Sequence, residues 1–348
     1  MAKPIILCDT EGMSEKRWLE CREHGPKGDI PYTVGGSDVA TIFGLSPWMT
    51  PLELWLVKKG KMKNPEKPNP WQLEMGHFLE PVAAHFFAKK TGNTVINDTN
   101  MYRHADFPYM LADFDRRYIR NVDKEDGVLE CKSCSYYKTD EWKNGGYPEY
   151  YEMQLRYYLG VADVNHGAFS CVWGNNPATD LATPELERDK VKENLIYEKL
   201  DRWIWSLEHD EQPTMEGVKS SELALKALAR IYGESQKGLP TLEFSKQYEM
   251  TLRRIAALQS TIGERNAEIK KLEKEAETLS VKIAEIMKQH EHAVLETTTD
   301  KILIDFVTRK TVRPDTDVLK DKYRSIYDEV VKTTESRKVK VKIQEKTT

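Results

Sequence analysis

The stretch whose reading decides the fold runs Met110-Leu111-Ala112-Asp113-Phe114-Asp115-Arg116-Arg117, passes a charged turn at 123–127, and continues Val128-Leu129-Glu130-Cys131-Lys132. Both ends carry short β-type runs, and the turn between them predicts a strand pair. Side chains alternate along a strand, so Glu130 and Lys132 project from the same face. With an aspartate at the end of the preceding strand, they form a compact acid/base constellation. Hard divalent cations such as Mg²⁺ take a few carboxylate oxygens and keep positions open for water and a phosphate oxygen. A nearby lysine can hold or deprotonate an attacking water and offset charge building up on phosphorus. Spacing alone is equally consistent with an exposed strand carrying an ordinary ion pair.

Working outward, further β-type runs fall at 94–96 and 168–173, and helical patterns at 71–90, interrupted or kinked near Pro81, and at 150–159. Val191, Leu195, Leu200, Trp203, Ile204 and Leu207 recur at helical spacing and predict a helix that lays its stripe on the sheet and closes the first domain. The expected organisation is an α/β domain over 1–210, with a central mixed sheet flanked by helices, and a helical connector over 211–245. A coiled-coil segment follows at 246–292, then a small α+β module at 293–348. In the coiled coil, heptad positions a fall at Ile255, Ile262, Ile269, Ala276 and Ile283, and d at Leu258, Arg265, Leu272, Leu279 and Ile286. Periodicity leaves open whether this helix pairs within the chain or between subunits. The terminal module reads as a strand at 301–308, a helix at 317–331 and a strand at 339–343.

Composition narrows the function classes. The 348 residues are 39% apolar and 31% charged, with a net charge of −4 and a mean hydropathy of −0.64. This excludes an integral membrane helix bundle, a collagen-like fibre and a polybasic nucleic-acid binder. The short apolar patch at the N-terminus stops at Asp9, too soon for a secretory segment, so the expected compartment is the cytoplasm. Five cysteines, an odd number, point to free thiols. Cys131 and Cys134 form a lone CxxC without the second pair that a zinc or iron–sulfur site needs. Gly35, Gly36 and Gly44 are not followed by Gly-Lys-Ser/Thr and so shape a turn before a helix near Ser37 rather than a P-loop. Lys58, Lys59, Lys61, Lys63 and Lys67, punctuated by Pro65, Pro68 and Pro70, form either a solvated loop or a phosphate-contacting one.

A family resemblance runs through about residues 14–175. Gly35-Gly36-Ser37-Asp38-Val39-Ala40, Gly44-Leu45-Ser46-Pro47-Trp48 and Thr50-Pro51-Leu52-Glu53-Leu54-Trp55 resemble the opening signature of YqaJ-type viral recombinases. These are relatives of lambda exonuclease with the PD-(D/E)XK fold. Trp18-Leu19 with Arg22, Gly76-x-x-x-Glu80-Pro81, Ala112-x-x-Asp115, Glu130-Cys131-Lys132 and Met153-Gln154-Leu155 with Tyr157 and Tyr158 follow in the family's order. The resemblance implies a deoxyribonuclease that degrades one strand of linear duplex DNA from a 5′ end, leaving a 3′ single strand for a RecT-like annealing protein. It implies Mg²⁺, with Mn²⁺ as a substitute, and assembly as a ring trimer. Asp115, Glu130 and the Cys131 carbonyl would be metal ligands, Lys132 would activate water, and Glu80 and Gln154 would complete the pocket. Arg22 and Ser37 would grip a terminal 5′-phosphate.

Departures from the pattern are Arg116 and Arg117 directly after Asp115, which would contact phosphate or pair with Asp113 and Asp123, and Asp113 as a second candidate ligand. The segment 25–33 also lengthens the separation of Arg22 from Ser37. Two other functions fit the residues: a related endonuclease or Cas4-like enzyme on the same core, and a non-catalytic DNA-binding scaffold acting through its coiled coil.

Overall fold

The alternation at 128–132 is realised in an eight-residue strand, Asp126–Ser133, that pairs antiparallel on one side and parallel on the other. The computed structural model describes residues 3–65, 70–233, 236, 238–311 and 313–331, in two units, Met1–Gly233 and Glu234–Thr348. The first unit runs β1 (Ile5–Asp9), α1 (Glu15–His24), α2 (Gly36–Ile42), α3 (Pro51–Lys58), α4 (Pro70–Thr91), β2 (Thr94–Ile96), β3 (Asn100–Arg103), β4 (Leu111–Asp113), β5 (Arg116–Ile119) and β6 (Asp126–Ser133). It continues with α5 (Glu149–Ala162), β7 (His166–Val172), β8 (Leu181–Ala182), β9 (Glu185–Glu187), α6 (Lys190–Glu208) and α7 (Ser221–Tyr232).

The main sheet is mixed, in the order β2-β5-β6-β7-β8 with β9 also on β7, and β6-α5-β7 is a parallel crossover. A smaller antiparallel sheet has the order β1-β3-β4. Helices cover both faces of the main sheet. Leu129, Cys131, Ala168 and Val172 pack with Ala83, Ala84 and Phe87 of α4. Val128 and Phe169 point the other way, into the cluster of Leu155 and Leu159 from α5. Burying each such leucine or phenylalanine contributes about 1.5–3 kcal/mol, so the period of two in β6 is locked from both sides. This is the mixed-sheet core that the family resemblance implies.

Helix α4 continues through Pro81 as one helix, where the sequence predicts a helix interrupted or kinked. Proline here removes only the helical bond to the His77 carbonyl, while Ala83, Ala84 and Phe87 beyond it are anchored in the core. Helix α6 forms as expected, but it packs on α2 and α5 rather than on the sheet. Ile196, Leu200, Trp203, Ile204 and Leu207 are buried, whereas Val191 and Leu195 face out.

The second unit has α8 (Glu249–Met287), β10 (His292–Glu296), β11 (Lys301–Asp305), α9 (Thr316–Lys322) and α10 (Arg324–Val330). The predicted strand at 301–308 ends at Asp305 and pairs with β10, which the sequence reading missed. The predicted helix at 317–331 is divided at Tyr323, whose backbone is non-helical (φ −133°, ψ 51°). The strand expected at 339–343 lies outside the described residues. Among the described residues, Met287 alone in this unit is buried.

Candidate active site

Glu130 and Lys132 share the α5-facing side of β6, and Gln154 reaches them from α5. Glu130 is fully buried. Its Oε2 accepts from Lys132 Nζ at 2.6 Å and from Gln154 Nε2 at 3.0 Å. Its Oε1 is buried without a hydrogen-bond partner. Gln154 Nε2 also lies 3.2 Å from the Tyr158 hydroxyl. That arrangement requires the residue opposite Tyr158 to be glycine, because a Cβ on Gly36 would stand 2.5 Å from the Tyr158 ring. The paired glycines therefore serve close approach as well as the start of α2.

Asp115 sits in the bend between β4 and β5. Its Oδ2 accepts the Cys131 amide at 2.8 Å, just past Arg116–Leu129, the last β5–β6 pair. This bond fixes the carboxylate beside the strand end that carries Glu130. Glu80 comes from α4, half-buried, with Oε1 3.1 Å from His77 Nδ1. Lys132 is also held by the Tyr151 ring, whose centroid is 5.0 Å from Nζ.

Burial first, then the neighbouring Asp115 and Glu80 carboxylates, push the Glu130 carboxyl up to about 8 against the opposing pull of Lys132. Burial, reinforced by Asp115, likewise raises Glu80, while His77 and Arg116 oppose it. Burial pulls Lys132 down, but the Glu130 and Asp115 charges outweigh it and hold the ammonium protonated. Three carboxylates that raise one another's proton affinity, one of them with an unpartnered buried oxygen, offer oxygen donors of the kind a hard divalent cation takes, although their ligand atoms do not all come within 4.8 Å of one another as those of another acidic group in this unit do.

Arg22 of α1 donates to the Ser37 hydroxyl at the first turn of α2, so the intervening 25–33 segment does not keep them apart. The guanidinium lies over the Trp18 ring, 5.2 Å from its centroid. The Trp18 indole N–H in turn donates to Asp113 Oδ2, so Asp113, a candidate ligand from sequence, is engaged by an indole. A Cβ on Gly35 would come within 2.9 Å of Arg22 Nε. Trp18, Arg22, Gly35 and Asp113 border a narrow cleft also lined by Tyr158.

The adjacent arginines point to opposite faces of β5, as strand alternation requires. Arg116 donates to the Asp115 carbonyl and lines a groove of about 370 Å³ with Pro81, His85 and Asn97. Arg117 pairs with Asp126 at 2.7 Å and lies 4.0 Å from Asp98, not with Asp113 or Asp123. Three lysines of the basic segment are also engaged: Lys58 with Asp38 at 3.1 Å, Lys59 with the Leu207 carbonyl at 3.0 Å, and Lys61 with Asp210 at 2.8 Å. Lys67 and Pro68 lie outside the described residues. All five cysteines are free thiols.

At the other end of β6, Asp123, Glu125 and His166 bring ligand atoms within 4.8 Å of one another. Arg120 already pairs with Asp123, and His166 Nε2 lies 2.9 Å from Glu125.

A helix-flanked mixed sheet thus brings an aspartate and a Glu-x-Lys strand together at its centre. Residues 17–165 match the YqaJ-like viral recombinase domain. The "Uncharacterized protein YqaJ" of Bacillus subtilis (strain 168) is 27% identical over 340 residues, 97% of each chain. Among solved structures, the alkaline exonuclease LHK-Exo from Laribacter hongkongensis is similar at a TM-score of 0.46 and 16% identity, over 56% of this chain and 94% of its own. The phage-related exonuclease from Haemophilus somnus 129PT gives 0.38 and 14%, over 51% and 92%. No helix among the described residues is long and apolar enough to cross a membrane.

Proposed function

We propose that this protein is a Mg²⁺-dependent deoxyribonuclease that resects linear double-stranded DNA from 5′ ends and leaves 3′ single strands for an annealing protein. The observation that carries this reading is the buried, unpartnered Oε1 of Glu130, with Asp115 fixed beside it and Lys132 on its other oxygen. Asp115, Glu130 and the Cys131 carbonyl would hold the cation, with Glu80 completing the pocket. When bound, the cation supplies Lewis-acid stabilisation of charge on the phosphodiester. Lys132, kept protonated by its carboxylate neighbours, orients the attacking water and opposes negative charge at phosphorus. Gln154 fixes the rotamer of Glu130. Arg22 and Ser37 offer a guanidinium and a hydroxyl to a terminal 5′-phosphate, a pairing suited to a dianion.

Digestion of end-labelled linear duplex, with 5′-phosphate and 5′-hydroxyl ends compared in Mg²⁺ and in EDTA, tests the reading. Release of nucleotides from 5′-phosphorylated ends in Mg²⁺ alone is the expected result. Equal cleavage of closed circular DNA would point to the related endonuclease instead. DNA binding without cleavage would point to a scaffold.

A further inference from the structure

Helix α8 is 39 residues long, about 58 Å at 1.5 Å per residue, and presents an apolar stripe that the described residues of its unit leave open. Ile262, Ile269, Leu272, Leu279 and Ile283 are 46–60% exposed. Of the ten heptad positions a and d, eight are Ile or Leu, and the exceptions are Arg265 and Ala276. We propose that α8 pairs antiparallel, in full overlap, with α8 of a second copy of this chain, so that each Arg265 lies across Ala276 of the partner subunit.

The placement of the two exceptions selects this arrangement. In a full-overlap antiparallel pair, Ile269 faces Leu272 of the partner subunit at the centre and Ile255 faces Ile286 of the partner subunit at the ends. The longest side chain of the stripe then falls opposite the shortest, and every other layer sets Ile or Leu on Ile or Leu. A shift of one heptad either way puts Arg265 against Ile269 or Ile283 of the partner subunit, burying a charge on an isoleucine. A parallel in-register pair puts Arg265 against its own copy, a like-charged contact within the apolar seam.

Charge favours the same register. Arg265 Nη1 already lies 2.9 Å from Glu268 Oε2 of its own helix. The antiparallel pair brings Glu275 of the partner subunit, next to Ala276, to the same guanidinium, which then lies between that carboxylate and Glu268 and offsets their mutual repulsion. One polar core residue answered by a small residue and a carboxylate is a way to fix register and orientation. The two-fold pairing is isologous, and on the ring trimer that the family resemblance implies it would join subunits of two different rings. The proposal does not rest on the nuclease reading.

Disulfide trapping in the full-length protein tests it, with Arg265→Cys, Ala276→Cys and the double variant oxidised beside the wild type as the control for the native thiols. Positions facing each other fall within disulfide reach, whereas each position and its own copy do not in this register. The double variant should give about tenfold more covalent dimer than either single variant. Adding Ile269→Lys should remove that dimer and lower the mass measured by sedimentation equilibrium. Cross-linking by Arg265→Cys alone would overturn the antiparallel register. No dimer from the double variant, or a dimer indifferent to Ile269→Lys, would overturn the pairing itself.

Discussion

Lys132 Nζ lies 2.6 Å from Glu130 Oε2, two residues away on the same face of β6, and this contact leaves the other Glu130 oxygen buried and without a partner. The strand period brings an ammonium to one side of the carboxylate and leaves the other side to the cation proposed above.

Replacing Lys132 by methionine keeps the length of the side chain and removes its charge. Hydrolysis should fall by roughly 10²–10⁴-fold, the range of a positioned proton-transfer or charge-stabilising group. Without the lysine, Glu130 holds its proton to still higher pH, so Mg²⁺ should also bind more weakly at pH 7. Unchanged turnover with a normal circular dichroism spectrum would contradict the assignment.

The raised Glu130 carboxyl makes metal binding pH-dependent, with a definite sign. A group pushed up to about 8 keeps its proton at neutral pH, and a cation must displace that proton. Mg²⁺ affinity by calorimetry should therefore rise about tenfold per pH unit below pH 8 and level off above it. The metal-free protein should lose stability as pH rises from the ordinary carboxylate value of 4.5 through about 8, and Mg²⁺ should restore it. Affinity independent of pH between 6.5 and 8 would refute the shift.

A methyl group at Gly36 collides with the ring of Tyr158, whose hydroxyl accepts from Gln154 Nε2. Gly36→Ala should cost about 1–3 kcal/mol in urea unfolding, the usual penalty of overpacking, and reduce activity as Gln154 loses its support. A stability equal to wild type would mean that α2 and α5 can separate freely.

Arg22→Ala should narrow any difference in rate between 5′-phosphate and 5′-hydroxyl ends. Arg22→Lys should not restore it, because the flat guanidinium both stacks on Trp18 and reaches Ser37. By contrast, Lys61→Ala breaks an exposed pair with Asp210 and a contact of the ammonium with the Trp55 ring. It should shift stability by less than about 1 kcal/mol and leave the salt dependence of DNA binding as it was.

Local periodicity carried much of this molecule. The alternation of Val128 to Lys132 predicted which side chains share a face, and helical spacing placed the stripe that buries Leu200, Trp203 and Leu207. Contacts between residues far apart in sequence left no such trace. Lys61 reads as a basic-loop lysine, and its partner Asp210 lies 149 positions away. Trp18 gives no hint that it binds Asp113, 95 positions on. His77 beside Glu80 was readable, since three residues on a helix are neighbours. The stop at Tyr323 and the unbroken run through Pro81 depend on packing beyond the local window, which propensity does not contain.

The central claim is metal-dependent hydrolysis at Glu130, and its most direct measurement is single-turnover digestion of 5′-phosphorylated, end-labelled linear duplex by wild-type protein and Glu130→Gln in matched Mg²⁺ and EDTA buffers. Cleavage by the wild type in Mg²⁺, none in EDTA, and a loss of at least about 10²-fold in the variant is the predicted result. Cleavage in EDTA, or a variant as active as the wild type, would contradict it.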